Sequence, residues 1–203
     1  MLLRIRRQVP WDVIGVVPPA NAGAAFARLH SEIGITADEV LIPTLDTVQV
    51  CAELEDGTVL KGEAEIVRGK GGVPIRRVFL VSETDRPATD FRPAREVIAA
   101  LEEADAIVIG PGSLFTNLIP ALLIREINET IRKSSARKIF VCNLMTQPNQ
   151  TQGYSVADHV RAIQTHCGFR VDYVLANKGN GISEAVLERY RSEAAQPVEP
   201  EWV

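Results

Sequence analysis

Residues 105–113, Asp-Ala-Ile-Val-Ile-Gly-Pro-Gly-Ser, constrain this chain more than any other stretch. Four consecutive apolar residues with no polar alternation suit a strand covered on both faces, which is the habit of parallel sheets. The glycines that follow let the chain turn sharply before a helical pattern begins at about residue 118. The same unit repeats downstream. An apolar run at 138–142 leads into a polar loop, 143–153, and then into a helix over about 155–167. Ser155 is its expected N-cap, with Asp158 at the third helical position. A third run, 173–176, ends at Asn177, and a helix over about 183–191 precedes a proline-containing tail. Repeated strand–loop–helix units imply a parallel sheet with helical crossovers.

The upstream half has another texture. Val40, Ile42 and Thr44 alternate with other residues, as do Val48, Val50 and Ala52. Asp56-Gly57 then predicts a tight hairpin turn, because both residues tolerate positive φ, and the strand is expected to continue through Val59, Lys61 and Glu63. A glycine-rich turn over 68–72 leads to another strand at 75–81. Residues 82–93 read as a loop, and Val97, Ile98 and Leu101 share the face of a helix over 94–103. Nearer the start, 13–17 reads as a short strand stopped by Pro18-Pro19, and 20–33 as an amphipathic helix ended by Gly34. The segments expected are therefore an atypical N-terminal strand and helix (1–39), a β-rich hairpin insert (40–81) and an α/β core (82–203).

A chain of 203 residues with 46% hydrophobic and 24% charged residues has enough apolar surface for one good core. Its formal charge of -4 argues against a broad nucleic-acid-binding surface. No apolar run is long enough to span a membrane. The start of the chain, though it carries three arginines, lacks the pattern of a cleavable leader, and the expected location is cytoplasmic. Cys51, Cys142 and Cys167 are far apart and read as small buried thiols rather than metal or redox groups. No metal site is expected from His30 or His166, which lack partners at ligand spacing.

Two loops could carry chemistry. The first is Gly110, Pro111, Gly112 and Ser113, at the carboxyl end of a buried strand, where open parallel sheets bind ligands. Its glycines would let backbone approach a phosphate, and Ser113 and Thr116 could add hydroxyl donors. The plain alternative is a tight strand-to-helix turn. No lysine completes a P-loop, and the third glycine of a dinucleotide fingerprint is missing. The second loop follows the next strand and should share its rim. There Asn143 and Gln147 offer amides and Thr146 a hydroxyl, groups that suit a uracil, a sugar or a phosphate, or that simply cap their own loop. Asp158-His159 is no dyad, because adjacent helical residues do not share a face; capping and packing explain the pair better. Arg161 reads as a solvated charge, and Tyr154 as a half-buried tyrosine or a surface for a base. No catalytic residue stands out.

The motifs Gly110-Pro111-Gly112-Ser113-Leu114-Phe115-Thr116, Ile119-Pro120, Phe140-Val141-Cys142-Asn143-Leu144-Met145-Thr146-Gln147-Pro148 and Gly153-Tyr154-Ser155-Val156-Ala157-Asp158-His159 come in this order. Together they resemble the gluconeogenesis factor (YvcK/CofD-like) family of the 2-phospho-L-lactate transferase superfamily. The hairpin around Asp56-Gly57 and the stretch from Tyr190 to Pro197-Val198 are similar as well. The resemblance implies a three-layer, Rossmann-like α/β fold with a β-hairpin insert. It implies a UDP-sugar ligand, typically UDP-N-acetylglucosamine, and a regulatory role in cell-wall synthesis and cell shape on gluconeogenic carbon sources. Tyr190 is carried over from it as a nucleotide contact. The transferase branch, which uses Mg²⁺ and a guanosine diphosphate adduct, has Gly-Pro-Ser-Asn-Pro where this chain has Gly-Pro-Gly-Ser-Leu, and is the alternative. Family members begin with Gly-Gly-Gly-Thr-Gly and Asp-Asp-Gly-Gly-Ser-Ser-Gly loops that have no match here. The sequence thus reads as N-terminally truncated, with half the nucleotide pocket absent and a degenerate fragment without ligand binding as a further alternative. A homo-oligomer stays open.

Overall fold

A computed structural model describes residues 2–5, 15–16, 40–82, 91–178 and 182–201; for 2–5, 15–16 and 40 it describes backbone only. The helix expected over 20–33, most of the strand at 13–17, His30 and most of the 82–93 loop lie outside the described residues.

The expected parallel sheet is present. Strands β1 (Leu2–Ile5), β7 (Ala106–Ile109), β8 (Arg137–Val141) and β9 (Tyr173–Leu175) form one sheet in the order β1-β7-β8-β9. Strands β7, β8 and β9 run parallel, and β1 pairs antiparallel with β7. Ile107, Val108 and Ile109 are all buried, as an unalternating apolar run requires. A short parallel pair joins β2 (Gly15–Val16) to β3 (Val40–Leu41). The third sheet is antiparallel and contains β4 (Val48–Leu54), β5 (Val59–Lys61) and β6 (Ile75–Ser82), with β4 in the middle. The hairpin turn falls at Asp56-Gly57, with Gly57 at φ 81°.

One expectation for this sheet fails. The chain does not stay extended through Glu63 but turns into helix α1 (Glu63–Arg68), which buries only Ile66. Its C-terminus is capped from 81 residues away, by Asn149 Nδ2–H donating to the carbonyls of Val67 (3.3 Å) and Arg68 (3.0 Å). A helix this short is unstable alone, and that tertiary cap satisfies carbonyls its own turn leaves open.

The helical layer also departs from expectation in one place. Residues 118–133 do not form one helix. A π-helical turn (Leu114–Leu118) runs into α3 (Ile119–Leu123), Ile124 is extended at φ -61° and ψ 117°, and α4 (Arg125–Lys133) starts anew. Asn128 Nδ2 donates to Leu122 O and Cys167 O, satisfying carbonyls near the break. Helix α2 (Arg95–Glu102) buries Val97 and Leu101, and α4 buries Ile127 and Ile131 one turn apart. Each such fully buried aliphatic side chain contributes about 1.5–3 kcal/mol. Helix α5 (Val156–Cys167) buries Val156, Val160 and Ile163 along one face.

Helix α3 packs against both α5 and β6, which ties the helices to the antiparallel sheet. One buried cluster crosses all three layers, from Leu54 and Leu80 through Phe115 and Ile119 to Ile107 and Phe140. His166, near the end of α5, adds a polar tie. Its Nε2 accepts the N–H of Val78 in β6 (3.1 Å), while its Nδ1–H donates to Ala162 O (2.7 Å). Among the described residues no helix is long and apolar enough to cross a membrane.

Candidate functional site

The two rim loops lie side by side, because β7 and β8 pair in register up to Ile109 opposite Phe140. Gly110 has φ 89°, and a Cβ built on it would stand 2.6 Å from Val141 O. Only glycine fits there, because both the backbone angle and the neighbouring strand exclude a side chain. The following peptide, Gly110-Pro111, is cis.

A reciprocal clasp then joins the loops. Gly112 N–H donates to Asn143 Oδ1 (3.0 Å), and Asn143 Nδ2–H donates to Gly112 O (2.8 Å). The Asn143 amide is therefore engaged with the opposite loop. Beside it runs a chain of hydroxyls: Thr116 Oγ1–H donates to Ser113 Oγ (2.7 Å), and Ser113 Oγ–H to Gln150 Oε1 (3.1 Å). Thr116 is buried and Ser113 half-buried. Thr116 Oγ1 also lies 3.4 Å from Glu63 Oε1. Gln150 and Glu63 are the members of this network that sequence reasoning missed; both come from other segments, and no local pattern points to them.

Thr146 faces a different partner. Its N–H donates to Gln196 O (2.7 Å) and its Oγ1 accepts Gln196 N–H (3.0 Å). It thus straps down the C-terminal stretch, which continues with Val198 N–H to Leu144 O. Gln147 N–H donates to Thr151 Oγ1, and Gln147 Oε1 is buried without a partner among the described residues. Tyr190 lies on α6 (Glu184–Ser192), a helix with no buried residue, and its carbonyl accepts the N–H groups of Glu193 and Ala195. Its ring makes no hydrogen bond or ring contact with another described residue. The structure thus unites Gly110, Pro111, Gly112, Ser113, Thr116 and Asn143 at one rim, sets Thr146 against the C-terminal strap, and puts Tyr190 on a separate helix.

Asp158 and His159 do cap and pack. Ser155 and Asp158 form a full capping box, and Asp158 also pairs with Arg161 at the surface. The Ser155 backbone N–H, followed by its hydroxyl and Arg161, holds the Asp158 carboxyl below its usual range, against a smaller cost of burial. His159 is buried, its Nδ1–H donating to Ser155 O (2.8 Å), and burial lowers its basicity. Its Nε2 is unpartnered among the described residues. Tyr154 packs edge-on to Phe115 and His159. All three cysteines are buried and none forms a disulfide; burial pushes Cys142 up to about 11 and Cys167 up to about 12.

These features define a Rossmann-like α/β protein with an antiparallel insert and a polar rim at two neighbouring strand ends. Residues 21–202 match the family model described as 2-phospho-L-lactate transferase CofD, and the chain belongs to that family. The gluconeogenesis factor of Halalkalibacterium halodurans is 42% identical over 177 residues, covering 85% of this chain and 52% of the relative. That of Bacillus subtilis is 42% identical over 155 residues, covering 75% and 46%. A crystal structure of a UPF0052 family member from Bacillus halodurans superposes with a TM-score of 0.75 at 39% identity, covering 88% of this chain and 55% of that one. The chain spans about half the length of these relatives.

Proposed function

We infer that this chain is a gluconeogenesis factor-type regulatory protein that binds a UDP-sugar, UDP-N-acetylglucosamine, and supports cell-wall synthesis and cell shape on gluconeogenic carbon sources. The observation that carries the reading is the Gly112–Asn143 clasp, which holds two polar strand tips together at the carboxyl end of a parallel sheet. Relatives named gluconeogenesis factor support it. In this reading the diphosphate lies against the backbone of Gly110, Pro111 and Gly112 and the hydroxyls of Ser113 and Thr116. Asn143 and Thr146 shape the rim, and Tyr190 is the outlying nucleotide contact. Residues 1–39, 40–81 and 82–203 act as lead segment, insert and ligand-binding core. The location is the cytoplasm, in keeping with three buried cysteines that form no disulfide.

Thermal unfolding tests this. UDP-N-acetylglucosamine stabilises a chain that binds it in the folded state only, by about 2.7 kcal/mol at a hundred times Kd. The shift in Tm should grow with concentration, and its absence at millimolar ligand refutes the reading. Ser113→Ala should weaken binding by about 1 kcal/mol, the loss of one neutral hydrogen bond; unchanged affinity in a titration means that the loop only turns the chain. The family description supports a second reading, a transferase acting on a guanosine diphosphate adduct with Mg²⁺. Release of guanosine monophosphate, as the phospholactyl group moves to a deazaflavin acceptor, would establish it.

A further inference from the structure

A second pocket begins one hydroxyl away from the rim. Strands β4 and β6, the start of α1, the π-helical turn and α3 enclose about 570 Å³, a volume suited to a small organic ligand. Most of its wall is apolar, with Val48, Val50, Leu80, Pro120, Ala121 and Ile124 around it. One end is polar, where Glu63, Thr116 and Asn117 meet.

Glu63 is the one ionisable side chain among the described residues that line this pocket. It forms no ion pair with a described residue. Its nearest donor, Thr116 Oγ1, is 3.4 Å away and has a single proton, which the 2.7 Å bond to Ser113 Oγ takes. Asn117 Nδ2–H adds to the Thr116 oxygen at 3.3 Å rather than to the carboxylate. The hydroxyl chain therefore runs away from Glu63. A carboxylate without a strong donor stands at the exposed mouth of an apolar chamber.

We propose that this pocket binds an amphiphilic cation, an aromatic or compact aliphatic body carrying an amine or amidine head. The body fills the space between β4, β6 and α3, and the head pairs with Glu63. A charged, two-pronged donor is what this carboxylate lacks. Glu63 disfavours an anion inside the pocket, and Thr116, which lines it, is the residue it shares with the rim. The proposal does not rest on the UDP-sugar reading.

p-Aminobenzamidine is a suitable probe, since its fluorescence rises in an apolar site. Titrated into the full chain, it should bind saturably. Glu63→Gln keeps the size of the side chain and should weaken binding about tenfold through loss of a charged hydrogen bond. Ala121→Trp fills the apolar wall and should abolish binding. The neutral p-aminobenzamide should bind wild type and Glu63→Gln alike. Absence of saturable binding up to about 10 mM, or affinity for p-aminobenzamidine within about twofold in Glu63→Gln, overturns the proposal. The UDP-sugar thermal shift, measured on wild type in parallel, reports the rim alone, so failure of either site is distinguishable from failure of the other.

Discussion

Removing the clasp between the rim loops gives the sharpest test of how this site is built. Asn143→Ala deletes both bonds to Gly112, at 3.0 and 2.8 Å, and leaves a half-buried peptide N–H and carbonyl without partners. Each net bond contributes about 1 kcal/mol, so the variant should lose about 2 kcal/mol. For a chain of this size that corresponds to a fall in Tm of about 5 °C. Asn143→Asp refines the test. An ionised carboxylate still accepts Gly112 N–H but turns a lone pair toward Gly112 O. A protonated carboxyl reproduces the amide, donating to the carbonyl and accepting from the N–H. The folded state therefore raises the pKa of this aspartate. Its stabilisation is present below the unfolded pKa, about 3.9, and is lost as pH rises through the folded value. Urea denaturation of wild type and both variants at pH 4.5 and 7.5 measures this. Asn143→Ala within about 0.5 kcal/mol of wild type, or Asn143→Asp no closer to wild type at the lower pH, refutes the clasp as the element that joins the loops.

Three more outcomes follow from geometry already described. Gly110→Ala places a Cβ 2.6 Å from Val141 O at φ 89° and should cost about 3 kcal/mol or more, read as a loss of soluble folded protein or a lowered urea midpoint. Thr146→Val removes the acceptor of Gln196 N–H and should cost about 1–2 kcal/mol; limited proteolysis should then cut near residue 196 sooner than in wild type. Burial depresses the basicity of His159 and His166 in the folded chain. The unfolded chain binds more protons below about pH 6.5, so stability is whole above that value and falls as pH drops through the folded-state values. Level urea midpoints from about pH 7 to 5 would count against this.

What could be read from sequence was local. The Ser155–Asp158 capping box announces itself by spacing, because both partners sit within one turn. Asp56-Gly57 announces a hairpin for the same reason. The unalternating Ala106–Ile109 run fixes a covered parallel strand. Helix α1 was illegible, since it buries one residue and takes its cap from Asn149. The break at Ile124 carries no proline or glycine, and the carbonyls near it are satisfied by Asn128 from the next helix. At the rim, adjacency of the two loops followed from the sheet. That Asn143 faces Gly112, that Thr146 faces the C-terminal strap, and that Glu63 joins from the insert are facts of tertiary packing with no periodic signal.

Between Asn143 and Gln150 the backbone must keep its count. Asn143 reaches one loop, Thr146 another segment, Asn149 a distant helix end, and Gln150 the serine beside the first. Gly69 would collide with the side chain of Asn149 if it gained even a methyl group. A single residue added or deleted here would throw several of these anchors out of phase at once. The hairpin tip at Gly57, with open space around it, tolerates a change of length far better. Engineered tags or reporters therefore belong at that tip.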